Sequence, residues 1–273
     1  MFVRGRRPEF VVLERAVLVL SELELPVAGS VLIDVGANIG TTTVTALLRH
    51  GFDRALAFEP DPDNLRLLEA NVALNALGGR VDVVPAAVSD RSGRASFGRG
   101  GTIDEVKDGA GSLLNGNHHS RQRLPVDVTT IDDELARRRL APAHVGMLWI
   151  DVQGNEPEVL AGATELLAGR PPIVLAFRPK RLARSSASFA ELERFGYASF
   201  VNLRASHLYA PRPWQPDVQP LSSIDAYHSQ VKGTTDLLLL PRRRSDVGPR
   251  PPRTAVSAPD AERQDAEPGR RPE

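Results

Sequence analysis

A glycine-containing segment, VLIDVGANIG at residues 31–40, ends an apolar run and precedes a helical pattern. Gly36 and Gly40 suit a chain that turns sharply and lets a ligand approach its backbone closely. Glu59 follows the next apolar run, Ala55–Phe58. A carboxylate at the end of a second strand can accept hydrogen bonds from both hydroxyls of a ribose. These residues therefore predict a binding site for an adenosine-containing cofactor.

Two cofactor classes fit this geometry, and Asp34 distinguishes them. Nicotinamide dinucleotides need a GxGxxG turn so that the pyrophosphate rests against a helix N-terminus, and the frame here is Gly36-Ala37-Asn38-Ile39-Gly40. A carboxylate just before that turn repels pyrophosphate and attracts the sulfonium and α-ammonium groups of S-adenosylmethionine. S-adenosylmethionine is the expected cofactor, and a nicotinamide cofactor is the weaker alternative. A purely structural role for Asp34, capping the following turn, also stays open.

Asp151 is the candidate for chemistry on the other side of the crevice. Methyl transfer to a hydroxyl needs a positioned acceptor and a group that removes its proton. Asp151 ends a later apolar run, and the carboxyl ends of strands in an open α/β sheet face the ligand crevice. A structural role for Asp151, accepting hydrogen bonds from nearby loop N–H groups, is equally open. Further candidates are Gln153, Asn155 and Glu156, which follow the same run, and His118 and His119 in a long polar segment.

The elements that must position these residues alternate between strands and helices. Short apolar and β-branched runs separated by helical patterns predict βαβ units on a largely parallel sheet. The predicted strands are Val31–Val35, Ala55–Glu59, Val81–Ala87, Met147–Asp151, Ile173–Phe177 and Asp236–Leu240. Residues 92–123 are rich in Gly and polar side chains with little periodicity, which predicts an irregular functional loop. A second irregular region is expected at about 204–233.

Helix starts are signalled at three places. A helix should begin near Thr41, directly after the glycine turn. Asp61 can cap the next helix, and Pro62 suits its first position. Asn155, with Glu158 three positions later, predicts a capping box at the start of a further helix.

The chain divides into three predicted regions. Residues 1–29 form a lead-in with helical apolar spacing over Phe10–Leu25, and residues 30–241 form the α/β domain. Residues 242–273 contain mostly Arg, Pro, Ala and acidic residues. Such a segment buries too little apolar surface to offset its ordering entropy, so a disordered tail is predicted.

The amino-acid composition limits the expected classes of binding partner and the expected cellular compartment. The 273 residues carry 34 Lys and Arg and 34 Asp and Glu, a formal net charge of zero, so nucleic acid is not the expected partner. No apolar run is long enough to span a membrane, and the N-terminus has no signal-peptide pattern. The absence of cysteine excludes disulfides and thiolate metal sites. A cytoplasmic protein is expected.

The order of several segments resembles the FkbM family of methyltransferases over about residues 30–180. The segments are IDVGANIG (33–40), FEPDPDNLRLLEANVALN (58–75), VVPAAVSDRSG (83–93), VDVTTIDDEL (126–135) and WIDVQGNEPEVLAGATELL (149–167). FAELERFGY (189–197) and DLLLLP (236–241) resemble the family's closing helix and strand.

The resemblance implies a Rossmann-like class I methyltransferase fold, α/β, with a mostly parallel seven-stranded sheet and helices on both faces. It also implies an S-adenosylmethionine-dependent enzyme that methylates a hydroxyl oxygen of a small molecule, such as a sugar or secondary metabolite. By position, Asp34, Gly36, Ala37, Asn38 and Gly40 would line the methionine end of the cofactor. Glu59 would hold the ribose, and the segment around Ala86, Ala87 and Val88 would face the adenine.

Three positions depart from the family pattern, in which K-x-D-V-E-G and a later acidic residue are common. This chain has Trp149 for the lysine, Gln153 for the glutamate and Ala176 where a glutamate is expected. A site made neutral in this way holds a divalent metal poorly, so no metal is predicted. Two interpretations follow: an active enzyme with altered substrate handling, which we favour, or a catalytically silent cofactor-binding protein.

Overall fold

The computed structural model describes residues 8–25, 27–99, 111–112, 122–177, 182–204, 214–228 and 235–242. The helices are α1 Pro8–Glu22, α2 Thr41–Arg49, α3 Pro62–Leu74, α4 Ile131–Arg138, α5 Glu156–Ala161, α6 Thr164–Gly169, α7 Leu182–Phe195 and α8 Ile224–His228. The strands are β1 Val31–Val35, β2 Arg54–Phe58, β3 Val81–Val84, β4 Ala87–Val88, β5 Gly93–Arg99, β6 Gly111–Ser112, β7 Gln122–Thr129, β8 Val145–Ile150, β9 Ile173–Phe177, β10 Tyr197–Asn202, β11 Val218–Pro220 and β12 Thr235–Pro241. His118, His119 and the predicted tail from residue 243 onward lie outside the described residues.

The apolar runs assemble into one large sheet with the order β3-β2-β1-β8-β9-β12-β10-β11 among the described residues. Its central pairs, from β3 through β9, are parallel. Strand β12 is antiparallel to both β9 and β10, and β11 is antiparallel to β10. The prediction of a mostly parallel sheet is therefore confirmed.

The predicted strand number of seven is wrong, because β11 adds an eighth strand at one edge. Residues 218–220 pair with residues 199–201 of β10. The region was expected to be irregular because three residues, Val-Gln-Pro, are too few to show a strand period.

A second, four-stranded sheet in the order β4-β7-β5-β6 corrects two further expectations. The run Val81–Ala87 is not one strand, since the chain turns after Val84, whose carbonyl accepts a bond from the Ala86 N–H at 2.9 Å. Ala87 then pairs with β7 in the second sheet. Residues 93–99, predicted as irregular loop, form β5 along β7. Backbone pairing across a long sequence separation, with only a small apolar core, leaves little periodic signal in the sequence.

The signalled helix starts are found, but one cap differs. Asp61 caps α3 by accepting a bond from the Asp63 N–H at 2.9 Å, as expected. Asn155 precedes α5 without a side-chain cap bond, so the predicted capping box does not form. The leading helix is present over Pro8–Glu22.

Helices cover both faces of the large sheet, as predicted. One face buries apolar residues from α1, α2 and α3 against the sheet, and the other buries apolar residues from α4, α5, α6 and α7. Both faces of the central strands are therefore shielded from water, and the edges where the strands end remain for a ligand. Within the described parts of the chain, no helix is both long and apolar enough to cross a membrane.

Candidate functional site

The carboxyl ends of β1, β2 and β8 bring three predicted site residues to one edge of the sheet. In the strand register, Asp34 lies beside Ala57 of β2 and beside Trp149 of β8. Glu59 and Asp151 each come two positions later on those strands. Because neighbouring strands lie about 4.8 Å apart, the three acidic residues belong to one short row of adjacent strand ends. The parallel sheet thus joins segments that are far apart in sequence.

The turn after β1 is shaped by left-handed backbone. Gly36, Asn38 and Gly40 have φ of 86°, 52° and 85°. A Cβ added to Gly36 would lie 2.3 Å from the carbonyl oxygen of Asp151, and one added to Gly40 would lie 2.5 Å from Cδ1 of Leu68. Both glycines are therefore required by the turn and by its close neighbours, before any ligand approaches.

Asp34 lies beneath this turn and is 1% exposed. Its Oδ2 accepts a hydrogen bond from the Thr43 hydroxyl at 2.5 Å, whereas Oδ1 is buried without a hydrogen-bond partner among the described residues. Burial raises the pKa of Asp34 to about 6, against the lowering effect of the bonds from Thr43. A buried carboxylate oxygen without a donor is suited to a cationic group, so Asp34 fits the ammonium end of the predicted cofactor.

Glu59 joins the turn after β1 to the start of α3. Its Oε2 accepts the Asn38 N–H and its Oε1 accepts the Asp61 N–H, each at 2.8 Å. Glu59 is 4% exposed, and burial raises its pKa to about 7 although these bonds lower it. The Asn64 side chain makes a further hydrogen bond to Glu59. Because a carboxylate has about four acceptor directions, Glu59 is held in place and retains the capacity to accept a ribose hydroxyl.

The segment after β3 places Ala87 differently from its neighbours. Ala86 and Val88 contribute to the large core, whereas the Ala87 side chain packs with Phe97 and Val126 of the second sheet. Since the Ala87 side chain is occupied there, an adenine contact at this residue would have to use its backbone.

The loop after β8 carries Asp151 and begins as an extension of the sheet, since the Asp151 N–H donates to the Val35 carbonyl at 3.0 Å. Gln153 and Gly154 then adopt φ of 59° and 112°. The Gly154 N–H is bound by Oε1 of Glu156 at 2.8 Å. The loop is therefore a specific, turned structure that presents Asp151, which is half-buried, at the edge of the sheet.

Two of the neutral positions lie inside the core. Trp149 is 5% exposed and Ala176 is 7% exposed. Ala176 lies directly beside Asp236 of the antiparallel strand β12. Asp236 is 5% exposed and forms an ion pair with Arg204, while burial raises its pKa.

Asp236 was not among the predicted site residues, whereas Asn155 was both a candidate for substrate-side chemistry and a predicted helix cap. Asp236 begins the apolar run of β12, and an acidic residue at a buried strand end is a signal that could have identified it. Asn155 was interpreted as a helix cap, but its Nδ2 donates to the carbonyl of Val88 at 3.0 Å. Both contacts join distant segments. In the described residues, no group of His, Asp and Glu side chains is arranged to hold a metal ion.

A family model described as "Methyltransferase FkbM domain" matches residues 34–199, more than half of the chain. The chain belongs to the FkbM methyltransferase family. Its sheet has the strand order of the Rossmann-like class I methyltransferase fold, with the antiparallel β12 between β9 and β10 and β11 as an additional edge strand.

Two named relatives support the family assignment. The chain is 32% identical over 161 residues to "31-O-demethyl-FK506 methyltransferase FkbM" of Streptomyces tacrolimicus, a match covering 50% of this chain and 60% of the relative. It is 29% identical over 159 residues to "2-O-methyltransferase NoeI" of Sinorhizobium fredii (strain NBRC 101917 / NGR234), covering 55% of this chain and 63% of the relative. The match therefore spans about three fifths of each relative's length.

Among solved structures, the FkbM methyltransferase of Methylobacillus flagellatus KT aligns with a TM-score of 0.41 and 16% identity. The alignment covers 77% of this chain and 43% of that chain.

Proposed function

We propose that this protein is an S-adenosylmethionine-dependent methyltransferase that acts on a hydroxyl oxygen of a small molecule, such as a sugar or secondary metabolite. The observation that carries the proposal is the pair of buried carboxylates, Asp34 and Glu59, on adjacent strand ends in a member of a methyltransferase family. The oxygen preference is supported by the names of both relatives, each an O-methyltransferase or a methyltransferase of an O-demethyl compound.

The proposal gives each part of the cofactor a partner at this edge of the sheet. Oδ1 of Asp34 would face the ammonium group, and the backbone of Gly36, Ala37, Asn38 and Gly40 would line the methionine end. Glu59 would accept the ribose hydroxyls while its bonds to the Asn38 and Asp61 N–H groups keep it oriented. Ala87 would contact the adenine through its backbone.

The cofactor would supply a methyl group activated by the sulfonium, so the protein's task is to place the acceptor oxygen in line with it. Asp151 would accept the proton of the acceptor hydroxyl as general base. Its place beside Gly36, whose hypothetical Cβ meets the Asp151 carbonyl at 2.3 Å, keeps it next to the methionine end of the site.

A catalytically silent cofactor-binding protein is the second candidate, motivated by the neutral Trp149, Gln153 and Ala176. Trp149 and Ala176 lie in the core, so their neutrality does not remove charge from the loop that presents Asp151. Asp236, beside Ala176, also keeps a carboxylate at this part of the sheet. These observations favour the active enzyme. A nicotinamide-dependent oxidoreductase is disfavoured because Asp34 would repel a pyrophosphate.

Titration calorimetry with S-adenosylmethionine, S-adenosylhomocysteine and NAD tests the cofactor. Binding of NAD alone would contradict the proposal. Incubation with methyl-labelled S-adenosylmethionine and a panel of hydroxylated metabolites then separates the active enzyme from the silent protein. Transfer by the native chain with loss in an Asp151→Ala variant supports the enzyme, and an unchanged rate in that variant removes Asp151 from catalysis.

The remaining expectations belong to the same proposal. The partner is a small-molecule methyl acceptor, with no nucleic acid and no membrane among the expected partners, and the expected location is the cytoplasm. Cell fractionation with an antibody to the chain would test the location.

A further inference from the structure

Asn155 uses its side chain for a long-range contact instead of a local one. Asparagine is among the preferred helix N-cap residues, yet Asn155 makes no side-chain bond to the start of α5. Its Nδ2 instead donates to the Val88 carbonyl at 3.0 Å. The residue is 7% exposed, so the bond is shielded from competing water.

This bond joins the two sides of the crevice. Val88 belongs to β4 and to the segment Ala86–Val88 that is proposed to contact adenine, here called the adenine-side segment. Asn155 ends the loop that carries Asp151. The loop has left-handed backbone at Gln153 and Gly154, so its shape is not maintained by a helix or strand ladder. The Asn155 side chain is therefore a tether between an irregular loop and the adenine-side segment.

A second contact brings the same two regions together. A Cβ on Gly162, just after α5, would lie 2.1 Å from the carbonyl oxygen of Ser89. The segment after β3 thus lies against both ends of α5, through Val88 at the helix start and Ser89 at its end. Since Ser89 also donates its N–H to the Thr129 carbonyl at 3.0 Å, this segment is fixed on one side by β7 and on the other by α5.

We propose that Asn155 is a positioning residue that sets the distance between the adenine-side segment and the loop carrying Asp151. Adenosine recognition and the placement of Asp151 are then coupled through this buried hydrogen bond, at the start of α5, whereas the Gly162–Ser89 contact fixes the other end of that helix. The inference rests on the proposed function, because it assumes that the adenine binds beside the segment around Ala87.

Loss of the Asn155 bond should weaken the adenosine half of the cofactor specifically. Removing one partner of a buried bond leaves the other partner, here the Val88 carbonyl, without a donor. The backbone around Val88 would shift toward another hydrogen-bond donor, and the adenine would lose part of its packing against this segment. We expect roughly a tenfold loss of affinity, since a tenfold change corresponds to about 1.4 kcal/mol, within the range for a broken buried hydrogen bond.

Calorimetry with two probes separates the halves of the cofactor. S-adenosylhomocysteine carries both the adenosine and the amino-acid end, and 5′-methylthioadenosine carries only the former. Asn155→Asp places a carboxylate against the Val88 carbonyl. The affinities of this variant for the two probes should fall by the same factor. Asn155→Ala, which removes the donor without adding charge, should give the same pattern if Asn155→Asp does not fold.

Tyr197→Phe provides the matched control. The Tyr197 hydroxyl donates to the Pro171 carbonyl at 2.6 Å and is fully buried, and both residues lie at the opposite edge of the sheet. This variant loses the same kind of bond and should lower the thermal midpoint without changing the affinity for either probe. An Asp34→Asn variant should have a lower affinity for S-adenosylhomocysteine and an unchanged affinity for 5′-methylthioadenosine.

The outcomes distinguish the inference from the proposed function. If the native chain binds neither probe, the proposed function fails and the role of Asn155 fails with it. If the native chain binds both probes and the folded Asn155 variants bind them equally well, the positioning role alone is wrong. If the Asn155 variants lose affinity for S-adenosylhomocysteine but not for 5′-methylthioadenosine, the positioning role is also wrong. The effect would then lie at the amino-acid end of the cofactor.

Discussion

Asp34 and Glu59 are acidic residues whose pKa values are raised rather than lowered. Burial is the main cause for both, and the hydrogen bonds that each accepts oppose it only in part. Ion-paired surface carboxylates behave in the opposite way. Both residues therefore hold a charge that the protein alone stabilises poorly, a property expected of groups that a ligand's cation, for Asp34, or hydroxyl donors, for Glu59, would stabilise.

The raised pKa of Asp34 predicts a pH-dependent stability of the cofactor-free protein. Its pKa is about 6 in the folded state against the usual 3.8, so the folded state binds the proton more tightly. This tighter proton binding adds roughly 3 kcal/mol to the free energy of unfolding below pH 4, where Asp34 is protonated in both states. The added stability is lost as the pH rises through 6. Urea unfolding at pH 4.5, 6 and 7.5 should show a flatter profile for Asp34→Asn than for the native chain. If the unfolding free energies of the native chain and Asp34→Asn change with pH in parallel, Asp34 is not the source of the pH dependence.

Cofactor affinity should change with pH in the opposite direction. Binding of a cation and of ribose hydroxyls favours the ionised carboxylates, so S-adenosylmethionine should bind more tightly as pH rises from 5.5 to 7.5. The change should level off only above the Glu59 pKa of about 7, at about pH 8, where this carboxyl is mostly ionised. Calorimetry in buffers with different ionisation enthalpies should detect proton release on binding near pH 6, and Glu59→Gln should reduce it. Affinity independent of pH over this range would be the contrary result.

At the scale of elements, the turn after β1 and the end of β8 fit together through a glycine. Three glycines separate the effect of backbone conformation from the effect of crowding. Gly36 has a positive φ and a carbonyl oxygen close to its Cα, whereas Gly29 has a φ of 75° but open space around it. Gly79 has open space around it and no positive φ. Alanine at Gly79 should therefore be near neutral. Alanine at Gly29 should cost about 1 kcal/mol of unfolding free energy from backbone strain alone. Alanine at Gly36 should cost more and should also weaken cofactor binding.

Urea unfolding and calorimetry on the three alanine variants check this order. Equal stability of the Gly36 and Gly29 variants would show that the approach of the Asp151 carbonyl is not a real constraint.

The Asp236–Arg204 pair links β12 to the end of β10. Asp236 is nearly buried and Arg204 is about two-thirds buried, so Asp236→Ala leaves a partly buried guanidinium without its partner. We expect a loss of about 2 kcal/mol in unfolding free energy, below the value for fully buried pairs because water reaches Arg204. Asp82→Ala, which removes the exposed pair with Arg54 and the 4.0 Å contact with Arg138, should change stability less. Equal losses in the two variants would contradict the assigned burial effect.

The elements that the sequence predicts well are those with a local signal. Strand β9 is a continuous apolar run and β1 is apolar except for Asp34, and the Asp61 cap lies within three residues of its target. The contacts that escaped prediction are long-range. The Asn155 side chain reaches Val88 and Arg204 reaches Asp236 across many residues, so no periodicity within one segment can indicate them.

At the scale of the whole molecule, the family match covers residues 34–199, and the two relatives extend beyond the aligned part. The proposed cofactor half of the site lies within this shared region and depends on a turn motif and a strand-end carboxylate, both of which are local signals in the sequence. The proposed acceptor half depends on the loop after β8, which presents Asp151. Such regions vary with the substrate and are not fixed by the fold, so the acceptor could not be read from the same motifs.

We expect the edge formed by β1 and β2 to bind S-adenosylmethionine through Asp34 and Glu59. Titration calorimetry of the protein with S-adenosylmethionine at pH 7.5 should give one binding site in the native chain and retained affinity in the distant Tyr197→Phe variant. Glu59→Ala should lose at least tenfold in affinity, because a hydrogen bond to the ribose is missing. Absence of binding to the native chain, or full affinity in a folded Glu59→Ala variant, would rule out this site.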